Sequence, residues 1–136
     1  MCIRDRSYVD YDGIIHPLTA NNILIVAPYN AQVRLLKQKL SLDLKIGTVD
    51  KFQGMEAEVV IVSMTTSSGD DMPRDMAFLF DRRRLNVAVS RAKTLAIIVA
   101  SPRLLDVNCE TPEQMALADT LCWAAELGTC KEELAQ

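Results

Sequence analysis

The stretch that most constrains this chain is Thr94-Leu95-Ala96-Ile97-Ile98-Val99-Ala100. It has no polar residue between Leu95 and Ala100 and is rich in β-branched side chains. That is the pattern of a strand covered on both faces, as in a parallel sheet. Directly before it, Arg82 to Lys93 has helical spacing. Leu85, Ala88, Val89 and Ala92 fall at i, i+3, i+4 and i+7 and are expected to form one buried stripe. Arg84, Val87 and Arg91 follow on a neighbouring stripe. The expectation is a cationic helix pinned against a buried strand. Between Arg82 and Arg103 there are six basic residues and no acidic one. A fixed cluster of that sign calls for an anion, and phosphate is the usual one.

Other apolar runs of strand length extend the pattern. Ile23 to Ala27 is a short buried strand, ended by Pro28-Tyr29-Asn30. Asn30 is a good N-cap for a helix over Ala31 to Leu42, with Val33, Leu36 and Leu40 facing inward. Lys45 to Val49 and Val59 to Met64 read as two more strands. Thr65 to Asp75 reads as a mobile loop, and Phe78-Leu79-Phe80 as the anchor that returns the chain to the arginine helix. A last helix follows Pro102. Thr111 with Gln114 makes a capping box and Pro112 takes the first helical position. Met115, Ala118, Leu121, Cys122 and Ala125 form its apolar stripe, and Gly128 stops it.

Buried strands alternating with amphipathic helices predict an α/β layer fold with a mostly parallel sheet. Ligands in such folds sit outside the carboxyl ends of the strands. Pro28 to Asn30, Asp50 to Glu56 and Thr65 to Ser68 are therefore the expected site loops. Residues 1–22 read as a lead-in, with Asp12-Gly13 and His16-Pro17 as breakers. Of these, Met1 to Ser7 fits no later pattern. Residues 23–130 read as the domain and 131–136 as a tail.

The chain has 136 residues, enough for one domain with a real core. Its net charge of −3 and pI of about 5.1 argue against a freestanding nucleic-acid binder. The charge is uneven, with seven acidic residues and one lysine from Leu104 onward. Cys2, Cys109, Cys122 and Cys130 form no C-x-x-C pair, and His16 is the single histidine, so no zinc or other metal site is expected. Free thiols in a reducing cytoplasm are expected instead. No apolar run approaches the roughly 18 residues of a membrane span, and no signal peptide is read.

Three stretches carry chemistry: Ile-Val-Ala-Pro-Tyr-Asn-Ala-Gln (25–32), Gly-Thr-Val-Asp-Lys-Phe-Gln-Gly-Met-Glu (47–56) and Arg-Leu-Asn-Val-Ala-Val-Ser-Arg-Ala (84–92). In this order and spacing they resemble the second, C-terminal RecA-like domain of superfamily 1 helicases. More narrowly, they resemble the branch that includes the nonsense-mediated-decay RNA helicase and its bacterial relatives. The resemblance runs from about Ile23 to Leu105, and it implies a RecA-like, P-loop NTPase-type α/β fold.

The second stretch resembles helicase motif V. Gly54 lets backbone approach a phosphate closely. The resemblance gives Glu56 the ribose hydroxyls, Gln53 the nucleotide side, and Thr48 and Lys51 the nucleic-acid phosphates. Without it, the same residues read as a glycine turn with polar surface neighbours. The third stretch resembles motif VI, and Arg91 matches the arginine finger that reaches a γ-phosphate held by a partner domain. Arg84 either touches phosphate or pairs with a carboxylate such as Asp81. In the first stretch, Pro28, Tyr29 and Gln32 are expected at the nucleic acid, although Tyr29 reads equally well as packed under its helix.

No G-x-x-x-x-G-K-[S/T] occurs in the sequence, nor an Asp-Glu pair for magnesium. The resemblance therefore implies half an active site, inactive as an ATPase alone. ATP with Mg2+ would be bound mainly by an N-terminal RecA-like domain of the same cytoplasmic protein. The partner is single-stranded DNA or RNA, and the expected direction is 5′ to 3′. Two other readings stand beside it. One is a non-catalytic interaction module that uses the basic helix to bind nucleic acid or an acidic protein. The other is the last domain of a nuclease–helicase fusion.

Overall fold

The structure is a computed structural model that describes residues 6–40, 43–65 and 81–128. Its strands are β1 (Ser7–Val9), β2 (Ile15–Pro17), β3 (Ile23–Val26), β4 (Lys45–Gly47), β5 (Ala57–Ser63) and β6 (Ala92–Val99). Its α-helices are α1 (Asn30–Lys39), α2 (Arg82–Val89) and α3 (Pro112–Leu127). The chain forms two compact units. One holds Met1–Thr65 with Arg84–Ala100, and the other Thr66–Arg83 with Ser101–Gln136. The expected anchor at Phe78 to Phe80, most of the expected 65–75 loop, and Cys2 and Cys130 lie outside the described residues. Cys109 and Cys122 are free thiols.

The first unit is a parallel four-stranded sheet in the order β4-β3-β5-β6, the α/β layer that the apolar runs predict and consistent with the RecA-like fold that the resemblance implies. In β3 all four side chains are buried. Alternation sends Ile23 and Ile25 to one face. There they join Val33 of α1, Ile46 and Val59, with Leu36, Ile61 and Ile97 packed against them. Leu24, Val26, Val60 and Val62 point to the other face and are also buried. Each such side chain contributes about 1.5–3 kcal/mol by leaving water.

The run that opened the sequence argument behaves differently. Among the described strands β6 is an outer one, and its faces are not both covered, since Leu95 and Val99 are 49% and 55% exposed. An apolar run shows that water avoidance is available, not that a second neighbour exists to supply it. The helix before β6 is also shorter than its spacing predicts. α2 ends at Val89, where Ser90 Oγ donates to Val87 O at 3.1 Å and competes with the helical ladder. Arg91 sits in the turn, Ala92 begins the strand, and only Ala88 of the predicted stripe is buried.

α1 begins at Asn30, not after it. Tyr29 is the flanking residue and offers no side-chain cap. The helix stops at Lys39, and Leu40, expected inside, is 39% exposed. Residues 7–17, expected to hold no element, form an antiparallel hairpin. Its turn is organised by Asp10, whose Oδ1 accepts the N–H groups of Asp12 at 3.0 Å and Ile14 at 2.8 Å. Its Oδ2 lies 2.6 Å from His16 Nε2, and the His16 ring stacks on Tyr8. The hydrogen bond to His16, then that from Ile14, holds the Asp10 carboxyl below its ordinary range.

In the second unit, Thr111 Oγ1 accepts from Gln114 N at 3.2 Å and Pro112 opens α3, as read from sequence. The Gln114 side chain reaches Glu110 N at 2.7 Å, one residue before the cap. Ala118 and Leu121 are buried, whereas Met115, assigned to the same stripe, is 61% exposed. Among the described residues no helix is long and apolar enough to cross a membrane.

Candidate functional site

The three motif stretches share one unit, and the sheet divides them between its two edges. Strand register fixes the levels. Val26, at the carboxyl end of β3, pairs with Gly47 and Val62, while Ile23 pairs with Val59 and Ala57 with Ala92. The chain leaves β4 at the carboxyl edge and crosses to the starting edge before β5. Asp50 to Glu56 therefore spans both edges, which corrects its placement as a carboxyl-end loop.

Two glycines make that crossing feasible. At Gly47 an added Cβ would meet Lys51 Cδ at 2.7 Å and the Phe52 ring at 3.1 Å, so the site requires a missing side chain. Sequence reading passed over Gly47 because nothing local marks a close approach. At Gly54 the space is open, but φ is +80°, which favours glycine on backbone grounds. Gln53 (φ −59°, ψ 124°) precedes it, and Met55 N donates to Phe52 O at 3.0 Å, which is the form of a type II turn.

This turn delivers Glu56 to the starting edge. Ala57 N donates to Arg91 O at 3.0 Å, so the backbone holds Arg91 directly across from Glu56. Gln53, Gly54 and Glu56 are exposed. The Arg91 side chain is half-buried. Its Nε is shielded from solvent without a hydrogen-bond partner, and no carboxylate pairs with it among the described residues. A buried donor left unmade costs about 1–3 kcal/mol, so this geometry favours an incoming acceptor. Glu56 Oε2 lies 4.0 Å from Lys93 Nζ, both well exposed, a loose pair that a ligand could displace. Arg84 is placed elsewhere. Its Nη1 lies 3.6 Å from Asp50 Oδ2, a carboxylate of the motif V stretch.

At the carboxyl edge, Pro28 and Thr48 are half-buried and Lys51 is exposed. Gln32 Nε2 donates to Ser63 Oγ at 3.3 Å, tying the first turn of α1 to the end of β5. Tyr29 is packed into the core at 9% exposure and offers little surface to a ligand. Thr65, just past β5, has φ +68°, an outlier for a β-branched residue, and strain of that kind collects at functional sites.

An anion fits the starting edge, on the evidence of the orphaned Arg91 Nε and the open space above Gly54. A metal cage does not arise there, since among the described residues no three His, Cys, Asp or Glu converge.

A four-stranded parallel sheet with helices, a positive-φ glycine turn and a half-buried arginine defines an α/β domain of the layer class. The chain belongs to the AAA domain family, whose model matches residues 10–103, and it is a domain of the superfamily 1 helicase type. It is 44% identical over 79 residues to the DNA polymerase alpha-associated DNA helicase A of Schizosaccharomyces pombe, covering 56% of this chain and 12% of that protein. It is 38% identical over 99 residues to the probable RNA helicase armi of Drosophila melanogaster, covering 67% of this chain and 8% of that protein. An uncharacterized ATP-dependent helicase of Methanocaldococcus jannaschii is 38% identical over 84 residues, covering 60% of this chain and 12% of that protein. The chain thus spans only 8–12% of the length of these relatives.

Proposed function

We propose that this domain is the C-terminal motor domain of an ATP-dependent superfamily 1 helicase of the nonsense-mediated-decay-helicase-like branch, acting on single-stranded DNA or RNA. One observation carries the reading. The Arg91 carbonyl accepts the Ala57 N–H at 3.0 Å, so a half-buried arginine with an unpartnered Nε stands beside Glu56. A surface that only binds needs no such combination of Gly54, Glu56 and Arg91.

In this reading the triphosphate lies in a cleft between this domain and an N-terminal RecA-like domain that contributes most of the contacts to ATP and Mg2+. Bound ATP supplies the phosphoanhydride whose cleavage drives movement along the strand. Arg91 presents its planar fork to charge developing on the terminal phosphoryl group, a role that lysine's point charge fills poorly. Glu56 accepts ribose hydroxyls and Gln53 faces the nucleotide. Gly54 keeps the backbone low enough for phosphate to approach. Arg84, through Asp50, braces the motif V turn against α2.

Pro28, Gln32, Thr48 and Lys51 at the carboxyl edge hold the nucleic-acid backbone, with Tyr29 supporting them from below. The two ligands thus engage opposite edges of one sheet. The Asp50 to Glu56 crossing connects them. The isolated domain lacks the phosphate-binding loop and does not turn over ATP.

The test uses the longer protein that carries this domain. Arg91→Ala should lower nucleic-acid-stimulated ATP turnover by about 10³-fold or more while nucleotide affinity stays near wild type. Wild-type turnover by the alanine variant would remove the finger assignment. If the isolated chain shifts single-stranded oligonucleotides in a gel, and Glu56→Ala and Arg91→Ala leave that affinity unchanged, the non-catalytic binding module is favoured.

A further inference from the structure

A second recognition surface lies on the outer side of β4 and shares Lys51, Phe52 and Met55 with the 47–56 stretch. β4 is the other outer strand of the sheet, and among the described residues no strand pairs with its far side. Beside it a groove of about 480 Å³ is lined by Lys37, Lys45 and Lys51 around Leu44, Ile46, Phe52 and Met55. Lys37 comes from the last turn of α1, Lys45 and Ile46 from β4 itself, and Phe52 and Met55 from the crossing segment.

Three properties coincide in this groove. Its rim is cationic. Lys37 and Lys51 are exposed and have no ion-pair partner among the described residues, while Lys45 Nζ only donates to Asn21 O at 3.3 Å. Nearby acids are few. Asp50 is engaged by Arg84, and Asp43 precedes Leu44 in the chain. The floor is apolar, with Met55 39% exposed. One wall is a strand edge only three residues long. Natural edges are commonly shielded by lysines that deter indiscriminate pairing, and the same lysines select an acidic partner.

We propose that this groove docks an extended acidic peptide of a partner protein, added as a further strand beside β4. Main-chain hydrogen bonds would supply the pairing. Alternate apolar side chains would enter between Leu44 and Met55, and the carboxylates between them would meet Lys37, Lys45 and Lys51. A nucleic-acid backbone would match the lysines but leave the strand edge and apolar floor unused.

The test uses the 136-residue chain and a fluorescein-labelled ten-residue peptide alternating glutamate and valine. A glutamate-to-lysine counterpart and an oligothymidylate of similar length serve as comparisons. Fluorescence polarisation should show binding of the acidic peptide and not of its lysine counterpart, about tenfold weaker or more in the double variant Lys37→Glu, Lys45→Glu, and oligothymidylate should not compete the peptide off. Circular dichroism checks that this variant remains folded. The Gly47 carbonyl accepts from Ala27 N, so Lys45 and Gly47 face β3 and Ile46 presents its N–H to the open side. Amide hydrogen exchange should slow at Ile46 when the peptide binds, as strand addition requires.

Peptide binding with unchanged exchange there, or oligothymidylate binding in its place, would overturn the proposal. So would protection of the Ile46 amide before peptide is added. Concentration-dependent protection would mean a second copy, and concentration-independent protection the chain's own acidic end.

Discussion

The two edges of the central sheet are built to different plans. At the carboxyl edge the side chains of α1's first turn are tied in: Gln32 donates to Ser63, and Tyr29 is sunk in the core, while Lys51 stays exposed. At the starting edge they are left open. Arg91 has a buried Nε without a partner, and Glu56 and Lys93 stand 4.0 Å apart in solvent. A satisfied edge holds its shape without a ligand. An edge with an unmade hydrogen bond gains from an anion that fits. The difference separates a surface shaped before any ligand arrives from one with a hydrogen bond still to make.

The largest expected effect breaks that contrast at its sharpest point. In the longer protein, Arg91→Lys retains the positive charge and loses the fork. ATP turnover should fall nearly as far as in Arg91→Ala, by roughly 10³-fold. Recovery to within a few-fold of wild type would show that charge alone suffices. Gly47→Ala tests the opposite edge. The new Cβ can push the Lys51 chain aside, but the Phe52 ring is only 4% exposed and has nowhere to go. A loss of about 1–3 kcal/mol in urea unfolding is expected, and an unchanged midpoint would mean that the ring can move.

Gly54→Ala should cost less, about 1 kcal/mol, because nothing lies within 4 Å and only the positive φ resists. Gly54→Asn should recover most of it, since asparagine tolerates that conformation. Equal melting curves for the alanine and asparagine variants would discard the backbone explanation. The smallest effect belongs to the hairpin, where the Asp10 carboxylate is satisfied, as at the carboxyl edge. Its pKa is lowered by folding, so its contribution is full above the ordinary aspartate value of about 3.9. That contribution is lost as pH falls through the lowered value. Carboxyl NMR titration should show Asp10 titrating below that value, and Asp10→Asn should flatten the acid limb of the hairpin's stability.

Much of this was legible in the residues because it is local. The cap at Thr111 depends on a hydroxyl three residues from an amide, and the structure shows that bond. The parallel sheet followed from strand-length apolar runs separated by helical spacing. The errors also share a cause. Arg82 to Lys93 keeps helical spacing to Ala92, yet the helix ends at Val89 because Ser90 turns its hydroxyl onto the backbone. The hairpin at residues 7–17 was missed because its strands are three residues long, too short for alternation to register.

By itself, the amino-acid sequence determined the layer architecture, the motif order and the caps of α3, since each is set by neighbours within a turn or two of chain. Only the tertiary structure decided that β6 is an outer strand among those described. Only it showed that the Asp50 to Glu56 segment crosses from one side of the sheet to the other, and that the Arg91 carbonyl accepts the amide of Ala57, the residue after Glu56. Those outcomes depend on strand order and register, which join residues about 35 positions apart. No local preference encodes which of several similar apolar runs will lie beside which.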